Sequence, residues 1–203
     1  TSKIPLLIGV DEEGGIVNRV SKFTEFRSEP FKSPQELYAE GGLELIASDT
    51  AEKCALLSSL GINVNLAPVC DVSEDSSSFI YDRTFGKDAS LTSEYVKVVV
   101  TNMKTNKMGS ALKHFPGYGD NGDTHTDIIT DNRPFEQFRN SDFLPFKAGI
   151  DSGADMVLVS HNIVTSMDST YPASLSSAVH DILRNELGFN GVIMTDDMSM
   201  GAI

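Results

Sequence analysis

Two stretches of this sequence hold side chains able to make or break a covalent bond. The first runs from Lys113 to His125 and contains Lys113, His114, Asp120, Asp123 and His125. Pro116, Gly117, Gly119 and Gly122 forbid a regular helix there, so the stretch reads as a loop. In extended chain, residues two apart can share a side, which sets Asp123 beside His125. A carboxylate that accepts a hydrogen bond from one imidazole nitrogen fixes the tautomer and leaves the other nitrogen free to move a proton. That is a general acid/base dyad in outline. An ordinary hydrophilic loop fits the same spacing. The second stretch is Asp196-Asp197, which ends an apolar run. A carboxylate so placed can attack an anomeric carbon and form a covalent glycosyl intermediate. Alternation lets only one of the pair face inward, and either could instead cap a helix. His114, Asp120, Asp123, His125 and Asp127 crowd together, yet they match neither the histidine spacing of a zinc helix nor a calcium loop closed by glutamate. No metal or other cofactor is expected.

Such groups need a scaffold. Short apolar runs at 5–10, 64–70, 110–112, 154–159 and 191–194 are too continuous for half-exposed strands and predict buried parallel ones. Between them, helical spacing joins Leu43, Ile46, Ala47, Cys54 and Leu57, then Leu91, Tyr95, Val98, Val99 and Met103, then Leu175, Val179, Ile182 and Leu183. Gly61, Gly109, Gly153 and Gly188 stand where these helices should stop. Each run is followed by an ionisable group: Asp11, Asp71, Lys113 with His114, His161, and Asp196. In a closed parallel barrel all such strand ends converge on one mouth. The fold class is therefore α/β, a TIM-type (β/α)8 barrel. An eight-stranded barrel usually takes about 250 residues, so the 203 present are read as one catalytic domain over 1–203, a fragment lacking strands before Thr1 and after Ile203. An open doubly wound sheet would suit the length, but Gly14 and Gly15 make no phosphate loop after the first strand.

A formal net charge of -13 opposes general attraction to nucleic acid or anionic membranes. Cys54 and Cys70 are too few for a disulfide framework and are expected to be reduced. No apolar run approaches the roughly 18 residues of a membrane span. The chain opens at Thr1 without a methionine or a secretory signal, which reads as a missing beginning.

Six ordered motifs then resemble the family 3 glycoside hydrolases, in their β-N-acetylglucosaminidase branch. They are Gly9-Val10-Asp11-Glu12-Glu13-Gly14-Gly15 with Arg19; Asn65-Leu66-Ala67-Pro68-Val69-Cys70-Asp71; Asp82-Arg83-Thr84-Phe85-Gly86; Lys113-His114-Phe115-Pro116-Gly117; Asp123-Thr124-His125; and Thr195-Asp196-Asp197-Met198-Ser199-Met200. The resemblance implies Asp196 as nucleophile, His125 as acid/base and Asp123 as its orienting partner. It implies Asp11, Arg19, Arg83, Lys113 and His114 as holders of the terminal sugar, with His161 a weaker candidate for the same mouth. It also implies a retaining, exo-acting enzyme on muropeptide or chitin-type oligosaccharides, in peptidoglycan recycling for instance; whether it works in the cytoplasm or the bacterial cell envelope is left open. Oligomeric state is left open. The alternatives are a β-glucosidase or β-xylosidase relative, a phosphorolytic one in which phosphate replaces water, a non-catalytic sugar-binding barrel and a metal-dependent hydrolase. Two departures bear on the acid/base loop. Tyr118 stands where the family is expected to have histidine or aspartate, and the gap from Gly119 to Asp123 is one residue short.

Overall fold

In a computed structural model that describes residues 3–4, 6–122, 124 and 127–201, each of the five apolar runs contributes one strand to a single sheet. In chain order the elements are strands β1 (Gly9–Val10), β2 (Glu12–Gly14) and β3 (Val17–Asn18), helix α1 (Pro34–Ser59), β4 (Val64–Asn65), α2 (Ala89–Thr105), β5 (Gly109–Phe115), β6 (Thr130–Asp131), α3 (Phe135–Gln137), α4 (Phe143–Asp151), β7 (Met156–Val159), β8 (Ile163–Val164), α5 (Ser177–Asp181) and β9 (Val192–Thr195). The main sheet runs β1-β4-β5-β7-β9, with every neighbouring pair parallel.

The continuity of the runs has a direct cause. One face of the sheet carries Leu112 and Val157, which join Leu57, Val96, Val100, Met103 and Phe146 of the helices in the main core. The other carries Val64, Ala111 and Met156, with Leu66 and Met194 against them, as a second and smaller cluster. Both faces are thus covered along β4, β5 and β7, and a strand buried on both faces has no polar side to alternate. The runs at the two sheet edges, by contrast, are not buried as expected: Leu6, Leu7 and Ile8 before β1 and Val192 in β9 are exposed. Helix α2 packs between α1 and α4. Its start is fixed by the Asp88 carboxylate, which accepts from the Leu91 N–H. Ser33 and Glu36 form a reciprocal capping box at the start of α1, behind Pro34. That helix is interrupted at Gly41–Gly42, where the backbone leaves helical geometry.

Several expectations shift in detail. The run at 64–70 pairs as a strand only at Val64–Asn65 and rejoins β5 through a single bridge from Val69 to Lys113. Pro68, which has no N–H to give a ladder, interrupts it. Gly61, Gly153 and Gly188 do take positive φ at the helix ends, whereas Gly109 opens β5 and Lys107 is the left-handed residue instead. Leu175 precedes α5 in a short turn and is exposed rather than part of an apolar helix face. Cys54 and Cys70 are buried free thiols.

The sheet curls. Asp11, just past the edge strand β1, and Asp196, just past the opposite edge strand β9, line the same cleft. Among the described residues β1 and β9 are its open edges, so the architecture is a mixed α/β half-barrel, and eight-stranded closure is not shown. No described helix is long and apolar enough to cross a membrane.

Candidate active site

The cleft at the carboxyl ends of the strands has a volume of about 490 Å³. Asp11, Arg19, Arg83, Lys113, His114 and Asp196, all singled out from sequence, line it together with Glu13 and Asp197. Asp123 and His125 lie outside the described residues. Thr124, which separates them in sequence, is described and buried.

Two-residue alternation puts Asp11 and Glu13 on one side of an extended segment and Glu12 on the other. Glu12, fully buried, accepts the backbone N–H groups of Arg19 and Val20 at 2.8 and 2.7 Å and that of Ser21 at 3.0 Å, besides the Ser21 hydroxyl. It shapes the turn that presents Arg19 to the cleft. Asn65 fastens this segment to β4, its Oδ1 accepting from the Glu12 N–H and its Nδ2 donating to the Glu12 carbonyl, both at 3.0 Å. Arg83 arrives from a 3-10 turn at Tyr81–Arg83. Lys113 and His114 end β5, where the register against β7 slips between Leu112 and Phe115, and both side chains reach the cleft.

The floor of the cleft is a charge network. The Lys113 ammonium, 2% exposed, contacts Asp11 Oδ1 and Glu13 Oε1, each at 2.6 Å. Arg83 grips Glu13 with a fork, Nε to Oε2 at 3.0 Å and Nη2 to Oε1 at 2.8 Å. Its Nη2 also lies 3.1 Å from His114 Nε2. A guanidinium can only donate, so Nε2 is the acceptor and Nδ1 carries the proton, which it gives to Asp71 Oδ2 at 2.8 Å. His114 is therefore held neutral in one tautomer. Asp71, fully buried, also accepts the N–H groups of His114 at 3.0 Å and Tyr118 at 2.8 Å. Burial pushes the Asp71 carboxyl up, but the hydrogen bonds it accepts from His114 and the Tyr118 N–H, with the Arg83 charge nearby, hold it below its ordinary range.

Glu13 and Asp71 belong to this network, and no role was assigned to either from sequence. For Glu13 the sequence carries one partial signal, that it shares a side with Asp11; its pairing with two cations depends on the curl of the sheet. Burial raises the Glu13 carboxyl, and the charges and hydrogen bonds of Lys113 and Arg83 outweigh it, bringing it from 4.5 down to about 2. A carboxylate depressed on folding contributes stability above its unfolded value, and that stability is lost as pH falls through its folded value. Hence Glu13→Gln should cost about 3 kcal/mol at neutral pH, as removal of one member of a buried ion pair does. Thermal denaturation should show the wild type losing stability more steeply than the variant between about pH 4.5 and 2. Parallel curves would remove the proposed role of this carboxylate.

The adjacent aspartates divide their tasks. Asp197 turns its carboxylate to the N–H and hydroxyl of Ser199, at 2.9 and 2.8 Å, and so closes a local turn, with no helix among the described residues for it to cap. Asp196 is half-buried in the cleft wall, its Oδ1 accepting from the Asp197 N–H at 2.9 Å and its own N–H donating to the Val159 carbonyl at 2.9 Å. His161 does not line the cleft, contrary to the expectation from its place after β7. It is fully buried, with Nε2 3.0 Å from the Asp197 carbonyl and Nδ1 2.7 Å from the Ser174 hydroxyl. The short strand lets the chain turn inward before the imidazole can reach the mouth, so it braces the backbone behind Asp196. Among the described residues no group of three or more histidine, cysteine or carboxylate side chains could hold a metal.

The sequence model described as Glycosyl hydrolase family 3 N terminal domain matches residues 1–203. A beta-hexosaminidase of Xanthomonas campestris pv. campestris (strain B100) is 37% identical over 205 residues, spanning 98% of this chain and 60% of its own length. A beta-hexosaminidase of Stenotrophomonas maltophilia (strain R551-3) matches to the same extent, also at 37% identity. Among solved structures, a glycoside hydrolase family 3 beta-N-acetylglucosaminidase from Paenibacillus sp. str. FPU-7 superposes with a TM-score of 0.90 at 31% identity, over 98% of this chain and 38% of that one. Native NagZ from Neisseria gonorrhoeae does so with a TM-score of 0.84 at 27% identity, over 96% and 58%. The chain thus spans about 60% of the length of the curated relatives it matches.

Proposed function

The chain belongs to the glycosyl hydrolase family 3 N-terminal domains, and from that premise we propose that the full-length protein is a retaining, exo-acting β-N-acetylglucosaminidase. Asp196 attacks the anomeric carbon while His125, oriented by Asp123, protonates the leaving oxygen. His125 then takes a proton from the water that opens the glycosyl ester, and two inversions give net retention. Asp11, Arg19, Arg83, Lys113 and His114 hold the terminal sugar through charge-assisted hydrogen bonds to its hydroxyls. Chitin-type or cell-wall oligosaccharides are the substrates.

The observation that carries this reading is the shared cleft. One carboxylate, Asp196, whose side chain accepts a single backbone N–H among the described residues, faces a floor in which Lys113, Glu13, Arg83, His114 and Asp71 are mutually fixed. A nucleophile needs a lone pair that is not fully engaged, and a sugar subsite needs donors and acceptors already in place. The names of the hexosaminidase relatives favour N-acetylglucosamine over other sugars.

Matched nitrophenyl glycosides test the proposal on the full-length protein. The N-acetylglucosaminide should exceed the glucoside and the xyloside by at least about tenfold in kcat/KM, the discrimination one pocket contact can supply. Equal or reversed preference would place the enzyme with the β-glucosidase or β-xylosidase relatives. The same assay with added phosphate should release free sugar; accumulation of sugar phosphate would make it a phosphorylase.

A further inference from the structure

The acid/base loop leaves β5 and must carry His125 to the sugar, and it is tied at several of its described residues. Its first half is fastened at several points. Arg133, held by the carboxylates of Asp131 and Asp142, donates to the Gly117 carbonyl at 3.0 Å. Ser73 Oγ donates to Asp120 Oδ1 at 2.9 Å, and Asn121 Nδ2 to the Tyr118 carbonyl at 2.8 Å. Gly117, at φ +118, has no room for a side chain, since a Cβ there would lie 2.4 Å from Asp142 Oδ1. Beyond Asn121 the tie of note is the Tyr118 hydroxyl, 2.6 Å from Thr124 Oγ1. Tyr118 is 1% exposed and Thr124 is fully buried.

We propose that Tyr118 is a positioning residue for the proton donor, tethering the loop at Thr124, between Asp123 and His125, to the floor that binds the sugar. This rests on the assignment of His125 as acid/base. Consecutive Cα atoms lie about 3.8 Å apart, so a fixed Thr124 restricts how far either bonded neighbour can stray. The tether is anchored twice at its root. The Tyr118 N–H donates to Asp71 Oδ1 at 2.8 Å, the carboxylate whose other oxygen orients His114. The Tyr118 ring meets the His114 and Phe79 rings edge-on, each with centroids 5.2 Å apart. Burial raises the phenol's pKa, and the charges of Asp71 and Asp196 are near enough to add to it, so the tether stays a hydroxyl at working pH. One side chain thereby spans from the loop to within electrostatic reach of the nucleophile.

Tyr118→Phe keeps the ring and removes only the oxygen. In the full-length protein it should lower kcat/KM about five- to tenfold for an N-acetylglucosaminide with a poor alkyl leaving group, the worth of one hydrogen bond in positioning. For the dinitrophenyl glycoside, which leaves without a proton, it should stay within about twofold. Thr124→Val should reproduce this split, Thr124→Ser should restore the wild-type ratio, and the double variant Tyr118→Phe with Thr124→Val should lose no more than either single one. Equal losses on both substrates, or none, in Tyr118→Phe and Thr124→Val overturn the tether. His125→Ala separates the two levels. If it shows the leaving-group split and the tether variants do not, the tether alone falls; if it shows no split, the acid/base assignment falls and takes the tether with it.

Discussion

Asp196→Ala in the full-length protein should lower kcat by roughly 10⁵-fold or more on every glycoside, because the covalent route loses the atom that forms the bond. Global unfolding should not accompany the loss. The backbone N–H of residue 196 still donates to the Val159 carbonyl, and β9 still pairs with β7 along its length. What disappears is a half-buried carboxylate in the cleft wall. Removing it also leaves space beside the anomeric carbon, where a small anionic nucleophile such as azide can enter from the face that Asp196 occupied. Azide should therefore restore turnover and yield the glycosyl azide of inverted configuration, identified by nuclear magnetic resonance. Retained turnover without azide would remove the central assignment. A product of unchanged configuration would mean that Asp196 assists the reaction without forming the bond.

His125→Ala should act selectively. For a poor leaving group the loss in kcat/KM should be about 10²- to 10⁴-fold, the usual contribution of a positioned general acid. For the dinitrophenyl glycoside it should be small, since that oxygen departs as a stable anion. The quantity to measure is the slope of log kcat/KM against leaving-group acidity, which should steepen in the variant. A slope identical to the wild type's would mean that the proton comes from elsewhere. Asp123→Asn tests the orienting partner in the same series and should give an intermediate slope, because the imidazole remains but its tautomer is no longer fixed.

The scaffold was legible because its physics is local in sequence. A strand covered on both faces leaves an unbroken apolar run, and β5 and β7 appear within three residues of where such runs fall, as does the half-exposed edge strand β9. Strand ends were legible for the same reason, and with them Asp11, Lys113, His114 and Asp196. Pairing between distant side chains was not. That Glu13 serves both Lys113 and Arg83, or that Asp71 serves both His114 and Tyr118, depends on how far the sheet curls, which no short-range pattern encodes. His161 shows the limit from the other side. Its place at the end of an apolar strand matches that of Asp196, yet two hydrogen bonds with residues 13 and 36 positions away turn it inward. The catalytic reading of Asp123 and His125 rests on motif and on Thr124, the described residue between them.

The lining of the cleft carries Asp11, Glu13, Asp196 and Asp197 against Arg19, Arg83 and Lys113, an excess of one anion with His114 neutral. On the proposed mechanism that surplus belongs to the nucleophile, and it is present while positive charge builds on the sugar. Once Asp196 is esterified the lining itself holds three carboxylates against three cations, with the buried Asp71 carboxylate still behind His114. The second substrate then enters a mouth whose charge, Asp71 included, is still anionic, so neutral water is admitted more readily than dissolved phosphate.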